Sequence, residues 1–478
     1  METHRFSIKD FPYVSASTSM AELIMKDSVA SLLAHRFYKP FKGLEKPPYF
    51  LVLTPNHDLG RKLAECIYYD KGENGKCSDK YPDSNFYTLF RLRRPGNFDD
   101  AVKVLTYRYI QDIINEVEKE GSSSGGEVFP IVIIPKESKL NPFSPYYRIK
   151  AELLSRGLVS QIINLETISD PDTFGKSLLS IYVQLFVKAG GFPYLVSNSY
   201  ILSNTNEHNI ILGYSLSRDP IRHNNAVGSI IVYNPVGQWL VSEFVLDELP
   251  FNDRNKLDDY KRSLENALER AYKVATNKNV LKGAQKVNVI IHYRGKELST
   301  KEEQVILETI NKFREVNSSI YVLKIQQSDI ILSATSKDHP DPDMYPPTGY
   351  YTKLLPDTFI LQTVGKHMEL RPRKDGKPRG NILNGGTAKP ILVSIKRFGD
   401  NENTGLGSIE NERLSIKLLS TVFALARINY VSVYQFLNSE PVTTRYAREL
   451  AYIISRLGRD TINRDVVSKL LKGRMWFI

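Results

Sequence analysis

The run VFPIVIIP, residues 128–135, constrains this chain more than any other stretch. It is short, rich in β-branched residues and apolar on both of its faces, so it reads as a strand covered from both sides. A helical stretch, YYRIKAELLSRG, follows and stops at Gly157. Next come a strand, SQIINL, and a long helix, FGKSLLSIYVQLFVKAGG. Upstream, PYFLVLTPN is another apolar strand, ending at Pro55 and Asn56, with a helix from Leu59. A longer helix is expected over 99–120, and the loose linker GSSSGG, 121–126, separates it from VFPIVIIP. Fully apolar strands alternating with helices imply a parallel, doubly wound sheet, a Rossmann-like α/β domain.

Near Phe192 the pattern changes. HNIILGYSL, GSIIVYNPVGQWLVSEFVL and VNVIIHYRG read as a strand, a hairpin and another strand. A long amphipathic helix over 253–277 is expected between the hairpin and the third strand. Helix TKEEQVILETINKFREV, strand SIYVLKIQ and two C-terminal helices, about 409–427 and 442–457, complete the chain. A mixed sheet with an antiparallel opening hairpin and later crossovers is the pattern of an RNase H-like domain, one of several folds that this pattern alone allows.

With 478 residues the chain suits two or three domains. No run reaches the roughly 18 apolar residues that cross a membrane. METHRFSIKDF has no apolar signal core, so export is not expected and a cytoplasmic location is. Cys66 and Cys77 are the two cysteines, which allows one bond or none, with a reducing compartment expected. Lys and Arg number 64 against 53 Asp and Glu, a net +11, which points to a polyanionic partner. Residues 366–398 hold nine Lys or Arg against Glu369 and Asp375 and are rich in Gly and Pro. A basic hairpin or loop of this kind suits a phosphate backbone. Other chemistries are not encoded: NGGT lacks the Lys-Ser or Lys-Thr of a phosphate loop, the histidines lack zinc-ligand spacing, and GYSLS lacks the second glycine of a nucleophile elbow.

One constellation remains. Tyr146 and Lys150 lie four apart on one helix, and Gln184 and Lys188 four apart on another, so each pair shares a face. Gln161 stands where the chain leaves the first helix for the next strand. Two cations, an amide and an aromatic ring can grip a terminal phosphate and stack on the adjoining base, a contact worth about 1–3 kcal/mol.

On these residues the chain resembles a known family. YYRIKAELLSRGLVSQIINLETI and SLLSIYVQLFVKAGGFPYLV resemble the MID domain of Argonaute proteins, and ILGYSLSR, IIHYRGKEL and EPVTTRYARELAYI resemble the PIWI domain. The resemblance runs from about residue 36 to the end. It implies an N-terminal segment packed on PIWI (1–35), a MID domain (36–195) and a PIWI domain (196–478). The N-terminal and PAZ domains of long Argonautes are expected to be missing, as in short, archaeal-like prokaryotic Argonautes. Tyr146, Lys150, Gln161 and Lys188 are then implied to hold the 5′ phosphate of a guide. Gln184 and the carboxylate of Ile478 are implied to hold an Mg²⁺ that joins this phosphate to the C-terminus. The ending KGRMWFI, with three bulky apolar residues, is expected to dock rather than fray.

Slicing Argonautes use carboxylates to hold two metals about 4 Å apart. Here the matching positions are Ser215, Gly295 and Arg448. A hydroxyl, a hydrogen and a guanidinium cannot replace anionic oxygens on Mg²⁺. Asp219 lies beyond the strand end and Glu297 is displaced two residues from Gly295. The expectation is therefore an inactive nuclease, and the resemblance implies that it pairs a guide, RNA rather than DNA, with a complementary target, DNA by preference. It would act in defence against viruses and plasmids through an associated protein that supplies the missing N-terminal lobe and a toxic, sometimes membrane-acting, effector. Two alternatives stand beside it: a guided endonuclease with a rearranged acidic site, and a structural subunit that binds no guide.

Overall fold

The computed structural model describes residues 3–7, 10–11, 13–14, 29–33, 38–70, 77, 85–123, 128–136, 141, 143–198, 200, 207–218, 226–245, 262, 265, 266, 269, 286–294, 304, 308, 318–328, 348–364, 369–372, 378–381, 389–398, 406–408, 412–433, 440–457 and 474–478. Of the helices expected over 253–277 and 300–316, only 262, 265, 266, 269, 304 and 308 are among these residues, and all six are helical; the rest lie outside them.

After two short strands, β1 (Thr3–Arg5) and β2 (Tyr13–Val14), and helix α1 (Val29–Leu33), the first sheet forms. It is built by β3 (Tyr49–Thr54), β4 (Val102–Thr106), β5 (Val128–Ile134) and β6 (Gln161–Asn164). All pairings are parallel and the order is β4-β3-β5-β6, a Rossmann-like arrangement. Its helices are α2 (His57–Tyr68), α3 (Phe86–Leu89), α4 (Ile110–Ser123), α5 (Pro145–Ser155), α6 (Leu165–Ser169) and α7 (Pro171–Lys188). Local chemistry sets their ends. Asn56 caps α2 by accepting from Leu59 N at 3.2 Å. Helix α7 starts at Pro171 behind Asp170, whose carboxylate accepts from Asp172 N. At the end of α5 Gly157 takes φ 74°, while Leu158 N donates to Leu153 O, the expected left-handed stop.

One expectation fails here. Residues 99–120 are not a single helix: β4 comes first, and α4 then runs into the GSSSGG stretch as far as Ser123. As an edge strand β4 is only half covered, and Lys103 within it pairs with Glu120 of α4. A charged residue in a short, half-exposed strand hides the strand pattern behind a helical one. The two cysteines, left open as one bond or none, form a Cys66–Cys77 disulfide.

The second sheet begins after β7 (Leu195–Val196), which pairs with β2. Strands β8 (Glu207–Arg218), β9 (Ala226–Tyr233) and β10 (Trp239–Val245) form an antiparallel meander. On the other side of β8 lie β11 (Lys286–Arg294) and β12 (Ser318–Gln327), both parallel to it. This order, β10-β9-β8-β11-β12, is RNase H-like. Strands β13 (Tyr350–Leu355) and β14 (Thr358–Leu361) extend the sheet, and β15 (Glu369–Pro372) and β16 (Pro378–Asn381) form a separate hairpin. Strand β17 (Ile391–Phe398) joins β12 to β14, and β18 (Leu406–Ser408) pairs with β17. The basic segment 366–398 is thus partly a hairpin, and its last eight residues are a sheet strand. Strand β1 adds to the far edge along β13, and the Phe6 ring packs against Phe11, Tyr351 and Phe423.

Helices α8 (Glu412–Ala426) and α9 (Val442–Leu457) cover this sheet. Gly213 of β8 permits the approach of α9: a Cβ there would lie 2.3 Å from Thr443 O. Beside it His292 of β11 joins both helices, with Nε2 3.0 Å from Thr421 Oγ1 and Nδ1 2.8 Å from Thr443 Oγ1. Thr421 Oγ1 donates to Leu418 O, so it accepts from Nε2–H. Burial pushes its pKa down to about 3. The folded value lies below the ordinary value of 6.5, so the unfolded chain takes up the proton first. Stability is therefore full above about pH 6.5 and falls by up to about 1.4 kcal/mol per pH unit on the way toward pH 3. Denaturant midpoints between pH 7 and 4 should fall more steeply for the native chain than for His292→Gln. Equal slopes would mean that His292 does not titrate in this window.

Candidate nucleic-acid interface

Three of the four expected phosphate-binding residues, Lys150, Gln161 and Lys188, meet where α5, β6 and α7 adjoin the C-terminal tail. Lys150 Nζ donates to Ser160 O at 2.9 Å and to Trp476 O at 3.1 Å. Lys188 Nζ donates to the same Ser160 O at 3.3 Å and to Gln161 Oε1 at 2.6 Å. Gln161 Nε2 in turn donates to Gln184 Oε1 at 3.0 Å, and Gln184 Nε2 to Val431 O at 2.6 Å. Lys150, Gln161, Gln184 and Lys188 are therefore one connected network. Both lysines are buried, about 1% exposed, yet share a single carbonyl acceptor. Two ammonium groups this close repel by about 3 kcal/mol at an effective dielectric constant near 20, and an anion beside them reverses that sign. Ser160 adds a fully buried hydroxyl that has no hydrogen-bond partner among the described residues.

Tyr146 stands one helical turn before Lys150 and faces α9. Burial pushes its hydroxyl up to about 12, with Glu449 and Tyr452 adding to the shift. Its ring meets Tyr147 edge to face. The tail docks: Met475, Trp476 and Phe477 are buried, and the Phe477 ring meets Trp239 and Tyr446. Ile478 follows, half-buried. The tail's buried anchor, and the backbone oxygen of Trp476 in particular, thus lie against Lys150.

The positions matched to the metal-holding carboxylates lie at the ends of β8 and β11 and on α9. Ser215 is buried, in register with Ser229 of β9 and Arg294 of β11. Arg448 bonds Glu440 Oε2 at 3.1 Å and Glu449 Oε1 at 3.3 Å. Arg294 Nη2 reaches Glu440 Oε1 at 3.0 Å, so one carboxylate bridges two guanidinium groups. Burial pushes the Glu440 carboxyl above its ordinary value, while Arg294 and Arg445 pull it the other way. Gly295, Asp219 and Glu297 lie outside the described residues.

Sequence reasoning missed Ser160, Trp476, Arg294 and Glu440. The two backbone acceptors carry no residue-type signal. Arg294 and Glu440 stand inside the quoted motifs IIHYRGKEL and EPVTTRYARELAYI, and only their long-range pairing gives them meaning. Among the described residues no helix is long and apolar enough to cross a membrane.

Two solved structures share this fold. Over 95% of this chain and 53% of theirs, the Argonaute of Clostridium butyricum, bound to a guide DNA and a 19-mer target DNA, superposes with a TM-score of 0.62 at 16% identity. Drosophila Piwi superposes over 98% of this chain and 55% of its own, with a TM-score of 0.59 at 12% identity. No family model and no curated protein sequence matches the chain. The chain has an Argonaute-like fold and spans about half the length of these two structures.

Proposed function

We propose that this chain is a short Argonaute without slicer activity, which holds a 5′-phosphorylated guide and pairs it with a complementary target. The network of Lys150, Ser160, Gln161, Gln184 and Lys188 carries the reading. It gathers two buried cations and two amides beside a docked tail, within a fold that superposes on a guide- and target-bound Argonaute. A terminal phosphate between the lysines would receive charge-assisted hydrogen bonds, with Gln161 giving direction and Tyr146 a surface for the first base. Base pairing then reads sequence while the protein reads backbone shape. An RNA guide, a DNA target, a defensive role, and an associated protein that supplies an N-terminal lobe and a toxic effector complete the proposal. The test is binding of labelled oligonucleotides that differ only in a 5′ phosphate or 5′ hydroxyl. A clear preference for the phosphate supports the reading, and equal affinity contradicts it.

A divalent ion suits the same corner. Mg²⁺ takes few protein oxygens and fills its remaining positions with phosphate and water. Gln184 Oε1 lies in the network with a second lone pair beyond the one that Gln161 uses, and Ile478 would add its carboxylate. When bound, the ion would supply the positive charge that lets a phosphate sit beside that carboxylate. EDTA should weaken guide binding, and a tag at the C-terminus should weaken it more than one at the N-terminus. Normal loading of a tail-tagged chain in EDTA would remove the ion from the account.

No cleavage of a paired target is expected with Mg²⁺ or Mn²⁺. Ser215 offers a buried hydroxyl, and two guanidinium groups already take up the Glu440 carboxylate. Labelled target incubated with loaded protein should stay intact. Products that disappear in Asp219→Ala or Glu297→Ala would instead establish the rearranged nuclease.

A further inference from the structure

Arg294 and Arg448 come from a strand end and a helix 154 residues apart in sequence, yet grip one carboxylate between them. Glu440 binds Arg294 through Oε1 and Arg448 through Oε2, at 3.0 and 3.1 Å. Its side chain is only 11% exposed, whereas those of Arg294 and Arg448 are 29% and 33% exposed. The carboxylate is thus the least exposed of the three groups, and the two arginine side chains are the more exposed. Arg294 Nη1 is buried and has no hydrogen-bond partner among the described residues. Arg445, one turn before Arg448 on α9, adds a third positive charge close enough to lower the Glu440 pKa. Among the described residues, Glu440 and Glu449 stand against these three cations, which leaves that set net positive.

We infer that Arg294 and Arg448 form a clasp for one backbone phosphate of the paired nucleic acid, with Glu440 as the fixed anion that holds both guanidiniums in place. The inference rests on the guide-and-target reading above. A guanidinium is planar, always charged and carries five N–H donors, so after one or two go to Glu440, others remain for a phosphate oxygen. Buried ion pairs set direction more than they add stability, and a carboxylate shared by two arginines orients both. Ser215 fits this arrangement. It is in register with Arg294 and, being neutral, does not draw the guanidinium inward as an aspartate would.

Methylphosphonate scanning of the target tests this directly. Intact protein saturated with a 5′-phosphorylated guide is titrated with complementary strands, each carrying one neutral phosphodiester at a different position. For the native chain one position should stand out, with affinity reduced roughly tenfold, the loss of one charge-assisted hydrogen bond. In Arg448→Gln that position should lose its excess penalty, because the phosphate charge no longer has its partner. The slope of log affinity against log salt should fall by about 0.9 for the same variant. Arg448→Lys keeps the charge without the fork, so it should keep the slope while losing part of the positional penalty. The same penalty profile in native, Gln and Lys proteins would overturn the clasp while leaving guide loading standing. Failure of the native chain to load any guide would overturn both the clasp and the reading on which it rests.

Discussion

Lys150→Met and Lys188→Met should each weaken a 5′-phosphorylated guide by roughly ten- to a hundredfold, the loss of one charge-assisted hydrogen bond of about 1.5–3 kcal/mol. Methionine keeps much of the buried volume, so packing is largely preserved. A 5′-hydroxyl guide provides the control within each variant. Its affinity should change far less, because only the phosphate exploits the charge. Removing Lys150 also frees Trp476 O and half of what Ser160 O accepts, so some loosening of the tail is expected. The double variant should lose less than the product of the single losses, since the two ammonium groups share an acceptor and belong to one network. Equal losses for phosphate and hydroxyl guides would mean that these lysines serve the fold alone.

Gly213→Ala is expected to have the largest effect on stability. The new methyl group would lie 2.3 Å from Thr443 O and 2.7 Å from the carbonyl carbon. A backbone carbonyl in a helix cannot rotate away as a side chain can, so α9 has to shift as a unit. Overpacking of this kind costs about 1–3 kcal/mol, and a helix displacement can add to that. The shift would also disturb Thr443 Oγ1 at His292 and the Arg448–Glu440 pair on the same helix. Gly43, where a Cβ would meet nothing within 4 Å, is the comparison site, and Gly43→Ala should be close to neutral. Denaturant midpoints for the two variants give the answer. Similar midpoints would show that α9 packs less tightly on β8.

Sequence carried those parts of the fold whose pattern is local and regular. VFPIVIIP forms β5 because its β-branched residues pack on both faces, and IILGYSL forms the centre of β8 for the same reason. Four-residue spacing put Lys188 and Gln184 on one face of α7, and both reach Gln161. The apolar end of KGRMWFI foretold a docked tail, and Met475, Trp476 and Phe477 are buried. The β4 strand was hidden because an edge strand buries one face only and tolerates Lys103. The disulfide stayed open because cysteine count alone gives no proximity. The Arg294–Glu440–Arg448 cluster was hidden for a different reason: its members meet through tertiary folding, and no spacing in the sequence records that they do. Ser160 contributes chiefly a carbonyl, which every residue has.

The measurement closest to the central claim is sequencing of the nucleic acid that co-purifies with the native chain, with its 5′ ends identified by phosphatase and kinase treatment. The account predicts short oligonucleotides of a narrow length class that carry a 5′ phosphate and are depleted from the Lys150→Met, Lys188→Met double variant. Nucleic acid of unrestricted length that is unchanged in that variant, or none at all, would contradict it.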